Sequence, residues 1–103
     1  MSKAPRSFAG QPQNLAVITL RPILRGELPV LYVSHDADDG GWQFLSGAIP
    51  DLADAAVVGL GQMLSLDPSL AELGDLPIGW TAIRANERAQ WQRHPKSSDP
   101  GRP

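Results

Sequence analysis

The sequence predicts one small α+β domain: an antiparallel sheet of about four strands, with short helices packed on one face. Four short runs rich in β-branched and aromatic residues are separated by Gly and Pro turns, which is typical of strands. These runs span residues 15–20, 30–34, 42–46 and 80–84. An Asp-Pro pair at 67–68 predicts a helix. The 103 residues, 42% of them hydrophobic, suffice for one core and are too few for two.

The first three strands are expected to form an antiparallel meander. Residues 15–20 are apolar and β-branched at their centre, and Pro22 stops that run. The acidic, Gly-rich loop at 36–41 returns the second strand to the third, where Trp42 and Phe44 share a face. These two aromatic side chains are therefore expected to anchor the core.

Residues 51–58 open like a helix, because Asp51 can cap the N-terminus of one. Gly59 and Gly61 argue against a single long helix, since Gly costs about 1 kcal/mol relative to Ala in a helix interior. We expect a break there, which leaves open whether residues 51–66 form one helix or two elements.

The next segments carry clearer local signals. Residues 60–66 restore helical spacing, and a short second helix follows with Asp67 as N-cap and Gly74 just past its end. The run 80–84 then alternates as a strand, and residues 86–91 either prolong it or form a short helix.

Two flexible arms are expected around the folded domain. Residues 1–13 and 94–103 are rich in Pro, Gly and polar residues, and beyond Met1 their one large apolar side chain is Phe8. The domain itself is predicted to span residues 14–93.

Composition excludes several classes of partner. A net charge of −2 and a pI near 5.5 provide no basic field, so no nucleic acid is expected to bind. The most apolar region, residues 53–66, is well short of the ~20 apolar residues that span a bilayer, so no membrane association is expected. The absence of cysteine excludes thiolate chemistry and fits a cytoplasmic location.

No constellation of residues predicts catalysis, a metal site or a cofactor site. Asp36, Asp38 and Asp39 invite a calcium loop, but Gly40 and Gly47 stand where that loop needs oxygen ligands. The run Ser34-His35-Asp36 contains the residue types of a triad, but neighbours on a strand point to opposite faces. The protein is therefore not expected to be an enzyme.

A binding role is the remaining expectation. The loop carboxylates Asp36, Asp38 and Asp39 suit the rim of an interface with a basic protein, and Trp91, between two glutamines, is expected to be partly exposed and able to contact a partner. An alternative is a small-molecule-binding or hydrolytic domain with a pocket near His35 and Trp42. Self-association through a sheet edge is a further option.

Three segments carry a family resemblance. They are Gly-Trp-Gln-Phe-Leu-Ser-Gly at 41–47, Asp67-Pro68, and Leu-Pro-Ile-Gly-Trp-Thr-Ala-Ile-Arg at 76–84. Over roughly residues 14–91 the chain resembles the domain of unknown function 2185, a family of small bacterial proteins described as immunity-protein-like. The resemblance implies a non-enzymatic protein-binding domain, some members being inferred to neutralise toxins encoded beside them. It assigns no catalytic residue.

Overall fold

Six strands form one sheet in the computed structural model, which describes Phe8, residues 11–47 and residues 51–96. The strands are β1 (Ala16–Leu20), β2 (Tyr32–His35), β3 (Trp42–Leu45), β4 (Ala55–Gly59), β5 (Trp80–Ile83) and β6 (Gln92–Pro95). The helices are α1 (Arg21–Leu24) and α2 (Leu60–Leu66), with 3₁₀ segments at Leu52–Asp54 and Pro68–Leu73. The predicted α+β class is confirmed, whereas the expected four strands are too few.

The strand order is β4-β1-β3-β2-β5-β6, and the sheet is mixed. β1 pairs with β3 in parallel, with Ile18 beside Gln43, and the other pairings are antiparallel. The predicted β2–β3 hairpin is present, but the three-strand meander is wrong. α1 and the loop after it carry the chain past the position of β3, so that β2 lies on the far side of β3 from β1. β3 is therefore a central strand, and its Trp42 and Phe44 are buried.

Residues 55–59 form a strand, which corrects the predicted helix. The Asp51 cap exists, since its Oδ1 accepts a hydrogen bond from the Ala53 amide at 3.0 Å. The capped 3₁₀ turn ends at Asp54, because Ala55 is already extended, with φ −66° and ψ 143°. β-branched Val57 and Val58 suit a pleated strand better than a helix, and β4 pairs with β1 along its length. Residues 51–66 therefore form three elements.

The later helical predictions agree with the structure. α2 covers the predicted 60–66 segment and buries Leu60 and Met63 completely. The Asp67 carboxylate accepts from the Ser69 amide at 3.1 Å and caps the Pro68–Leu73 segment, which is a 3₁₀ helix. Residues 86–91 neither prolong β5 nor form a helix, and β6 follows them as a strand that the sequence patterns did not predict.

The two faces of the sheet differ in what covers them. One face carries Val33, Phe44 and Ala82, all fully buried, and the segment 67–76 lies against it. Hydrogen bonds hold the segment against this face. His35 Nδ1, for example, lies 2.7 Å from the Leu76 carbonyl oxygen.

We call the opposite face the open face. Its middle row follows from the cross-strand register and consists of Val57, Ile18, Gln43, Ser34, Thr81 and His94. Three large apolar side chains on this face are exposed: Ile18 by 40%, Val57 by 69% and Ile83 by 41%. Leu20 and Leu45 of this face are buried, so the core is larger on the covered side, and the exposed apolar surface lies on the open face.

The ordered sheet extends past the predicted domain end at residue 93. That boundary falls inside β6, and the Lys96 amide still donates to the Gly79 carbonyl at 2.7 Å. Phe8, inside the predicted arm 1–13, is buried with its ring 4.8 Å from that of Trp42. The rest of that arm up to residue 10, and residues 97–103, lie outside the described residues.

None of the helices in the described part of the chain has the length and apolarity that crossing a bilayer requires.

Candidate functional site

The loop between β2 and β3 brings the predicted carboxylates Asp36, Asp38 and Asp39 together. Two backbone bonds close it: the Asp36 amide donates to the Gly41 carbonyl at 2.8 Å, and the Gly40 amide donates to the Asp36 carbonyl at 2.9 Å. Gly40 has φ +72°, a left-handed conformation that favours glycine. The short loop fixes where the three acidic side chains emerge.

Asp36 is an internal carboxylate of this loop. Its side chain accepts hydrogen bonds from Ser34 Oγ at 2.5 Å and Gln43 Nε2 at 2.7 Å, and Lys96 Nζ lies 3.6 Å away. Partial burial acts to raise the pKa of Asp36, but the two hydrogen bonds and the Lys96 charge outweigh it and lower the pKa. Asp36 thus joins β2, β3 and the end of β6 across the open face.

Asp38 and Asp39 are exposed and point into solvent. Asp39 accepts one bond, from the Gly41 amide at 2.8 Å, and neither carboxylate forms an ion pair within the described residues. Of the three predicted carboxylates, these two keep a free negative charge that can meet a basic partner.

Trp91 lies at the other end of the sheet. Trp91 precedes β6, whose first residue pairs with Ile83 at one end of β5. The acidic loop follows His35, which pairs with Trp80 at the other end of β5. The Trp91 ring is half-buried, and its Nε1 has no hydrogen-bond acceptor among the described residues. The structure therefore does not bring Trp91 together with the acidic loop.

A buried arginine positions Trp91. The Arg84 guanidinium carbon lies 4.2 Å from the centre of the Trp91 ring, within cation–π range. Arg84 also donates to the Asp67 carboxylate at 2.8 Å and to the Val30 carbonyl at 3.0 Å. These contacts satisfy the charge inside the fold, so this cluster holds the chain together.

A groove of about 240 Å³ runs beside the acidic loop. We call it the edge groove and define it by apolar Ala16, Ile18 and Val57 together with the carboxylate residue Asp39. It combines exposed apolar surface with negative charge at one end. Sequence patterns alone did not identify Ile18 and Val57 as site residues, and the only signal for Val57 was the uncharged run Ala-Ala-Val-Val-Gly at 55–59.

The surroundings of His35 bear on the small-molecule alternative. Its ring stacks on Trp42 with 3.9 Å between the centroids, and Nδ1 lies 2.7 Å from the Leu76 carbonyl. Nδ1 therefore carries the proton and donates it to that oxygen. Ser34 and Asp36 bond to each other on the open face, so the three adjacent residues do not assemble a triad. A pocket function near His35 and Trp42 stays a prediction.

Within residues 11–47 and 51–96, no three His, Cys, Asp or Glu side chains lie close enough to hold a metal ion. Comparison of the chain with protein-family models, curated proteins and solved structures finds no significant match. The resemblance to the domain of unknown function 2185 therefore stays a prediction.

Proposed function

We propose that the protein is a non-enzymatic protein-binding domain that receives a partner segment in the edge groove. One observation carries the proposal: exposed Ile18 and Val57 lie beside a carboxylate that has no ion-pair partner among the described residues, Asp39. Apolar surface bordered by charge is the usual composition of a protein interface. A contiguous apolar patch on a soluble domain marks an interaction surface more often than a single exposed side chain does.

The groove defines the chemistry of the partner. An apolar partner side chain fits against Ile18 and Val57, and a Lys or Arg close to it in the partner meets Asp38 and Asp39. Opposite charges at the rim of an interface speed association and fix its register. The net charge of −2 adds a weak attraction to a basic protein.

The narrower form of the proposal is a toxin-neutralising protein that acts in the cytoplasm. The resemblance of residues 41–47 and 76–84 to the domain of unknown function 2185 supports a toxin as the partner. The cysteine-free composition supports the location, because reducing compartments do not favour disulfides. A basic toxin has the surface charge that Asp38 and Asp39 require.

The test is calorimetric titration of the purified partner, identified by co-purification from the native cell, against a pair of charge variants. The double variant Asp38→Asn/Asp39→Asn removes two rim charges and leaves Asp36, with its structural bonds, in place. We expect its affinity to fall about tenfold at low salt and its salt dependence to flatten.

The matched control is Glu72→Gln/Glu87→Gln, which removes the same charge from exposed residues away from the edge groove. It should bind like the wild type. A third variant, Ile18→Thr, keeps the strand propensity and should weaken binding at every salt concentration. Equal affinity of the wild type, Asp38→Asn/Asp39→Asn and Ile18→Thr would remove the edge groove from the interface.

A further inference from the structure

The two edges of the sheet differ in how they are protected. β6 ends in Pro95 and carries the charged Arg93, and both features oppose pairing with another strand. β4 has the sequence Ala-Ala-Val-Val-Gly, without charge or proline. In the described part of the chain, β4 pairs only with β1. One edge therefore resists pairing and the other offers an unprotected template for it.

The direction of the β4 backbone groups follows from one hydrogen bond. The Leu60 amide donates to the Leu15 carbonyl at 2.8 Å, in register with the β1–β4 ladder. Hydrogen-bonded and non-hydrogen-bonded pairs alternate in an antiparallel ladder. The backbone amides and carbonyls of Val58 and Ala56 are therefore the ones that form hydrogen bonds with β1. The amide and carbonyl of Val57 then point away from the sheet, toward a neighbouring chain.

We infer that the chain forms a dimer by pairing β4 with β4 of a second copy, antiparallel about a two-fold axis at Val57. The axis places Val57 opposite its own copy and Ala55 opposite Gly59 of the other chain. Each of these pairs has outward-facing backbone groups and exchanges two hydrogen bonds. Two six-stranded sheets become one continuous sheet.

The strand sequence favours a second copy over other occupants of this edge. About the axis, Ala55 opposes Gly59, Ala56 opposes Val58 and Val57 opposes Val57, so no large or charged side chain opposes another and β4 is its own complement. On the open face the two Val57 side chains lie side by side, each next to its own Ile18, and form an apolar row across the junction. A strand of five residues makes a small interface, so the dimer is concentration-dependent.

The experiment is sedimentation velocity over a concentration series up to about 1 mM, the range in which a weak interface associates. The wild type should pass from 11.1 kDa toward twice that mass as concentration rises. Val57→Pro should stay at 11.1 kDa, because it removes an outward-facing amide and leaves the bonds to β1 intact. The matched variant Val57→Thr keeps the amide and the β-branched shape and should dimerise like the wild type.

A second substitution covers the case in which Val57→Pro does not fold, as judged by far-ultraviolet circular dichroism. Val57→Lys keeps the backbone and places a charge opposite its own copy at the axis, so it should also remain monomeric. Amide exchange of the wild type gives an independent readout: the Val57 amide should exchange more slowly at high concentration than at low, while Val58 stays unchanged.

A wild type that remains monomeric throughout the series overturns the inference, and so does a dimer that persists in both Val57→Pro and Val57→Lys. The inference does not rest on the proposed partner. Asp38→Asn/Asp39→Asn should dimerise normally even where it loses partner affinity, so failure of one proposal is distinguishable from failure of the other.

Discussion

At the scale of single residues, Asp36 is a predicted site residue that also has a structural role. Its neighbours Asp38 and Asp39 have exposed carboxylates, whereas Asp36 accepts bonds from Ser34 and Gln43 and lies near Lys96. Burial favours its neutral form, but the hydrogen bonds and the lysine favour the ionised form more strongly, and its pKa lies below the ordinary value of 3.8. The folded state therefore stabilises the ionised form of the Asp36 carboxylate more than the unfolded state does.

This pKa shift predicts a pH-dependent contribution to stability. A carboxyl whose pKa is lowered by folding stabilises the fold above its unfolded pKa, and that contribution is lost as the pH falls through the folded pKa. We expect Asp36→Asn to be less stable than the wild type at pH 7 in urea unfolding, and the gap to close as the pH falls below 3.8. Asp38→Asn, at an exposed position of the same loop, is the matched control and should change the free energy of unfolding at pH 7 less than Asp36→Asn does. A gap for Asp36→Asn that is constant down to about pH 2 would contradict the mechanism.

At the scale of elements, the sequence correctly predicted those elements whose conformation depends on residues close together in the chain. The β2–β3 hairpin, α2 and the Asp67 cap each depend on neighbours in sequence, such as the Ser69 amide that bonds Asp67. The parallel β1–β3 pairing could not be predicted, because alternation assigns the faces of a strand and not its neighbours.

The wrong helix prediction over β4 also explains why half of the edge groove was not predicted. Asp51 does cap a turn, but the turn ends after three residues, and pairing with β1 then decides the conformation of 55–59. Local propensity is a weak predictor where a long-range pairing competes with it. With β4 assigned to a helix, Val57 could not be placed beside Ile18, so the acidic half of the edge groove was predicted and its apolar half was not.

The hairpin loop provides a test of how strongly one element depends on glycine. Gly40 has φ +72°, and the nearest atom that a Cβ added there would meet among the described residues is Ile78 Cδ1, at 4.0 Å. Gly40→Ala should therefore lower the free energy of unfolding by about 1 kcal/mol, the cost of the left-handed backbone conformation for a residue with a Cβ. Urea unfolding measures this change. Gly47→Ala is the matched control, because no atom of the described residues lies within 4 Å of the added Cβ and its φ is not positive, so stability should not fall. Equal effects of the two substitutions would exclude the conformational explanation.

At the scale of the whole molecule, the two edges of the sheet determine how far assembly can proceed. A chain with one open edge closes into a dimer, whereas a chain with two open edges can extend without limit. The Lys96 amide donates to the Gly79 carbonyl, so by alternation the nitrogen of Pro95 points outward from β6. Pro95 thus lacks a donor at the position where a further strand would need one.

Pro95→Val should therefore open the second edge. With β4 and β6 both able to pair, we expect light scattering to detect species larger than a dimer that grow with concentration, at about 0.5 M salt to screen Arg93 and Lys96. The matched double variant Pro95→Val/Val57→Pro closes β4 again and has one open edge, so it should stop at a dimer. Unlimited growth of the double variant would show that the larger species form by some contact other than edge pairing. A Pro95→Val protein that stops at the wild-type dimer would show that Pro95 does not limit assembly.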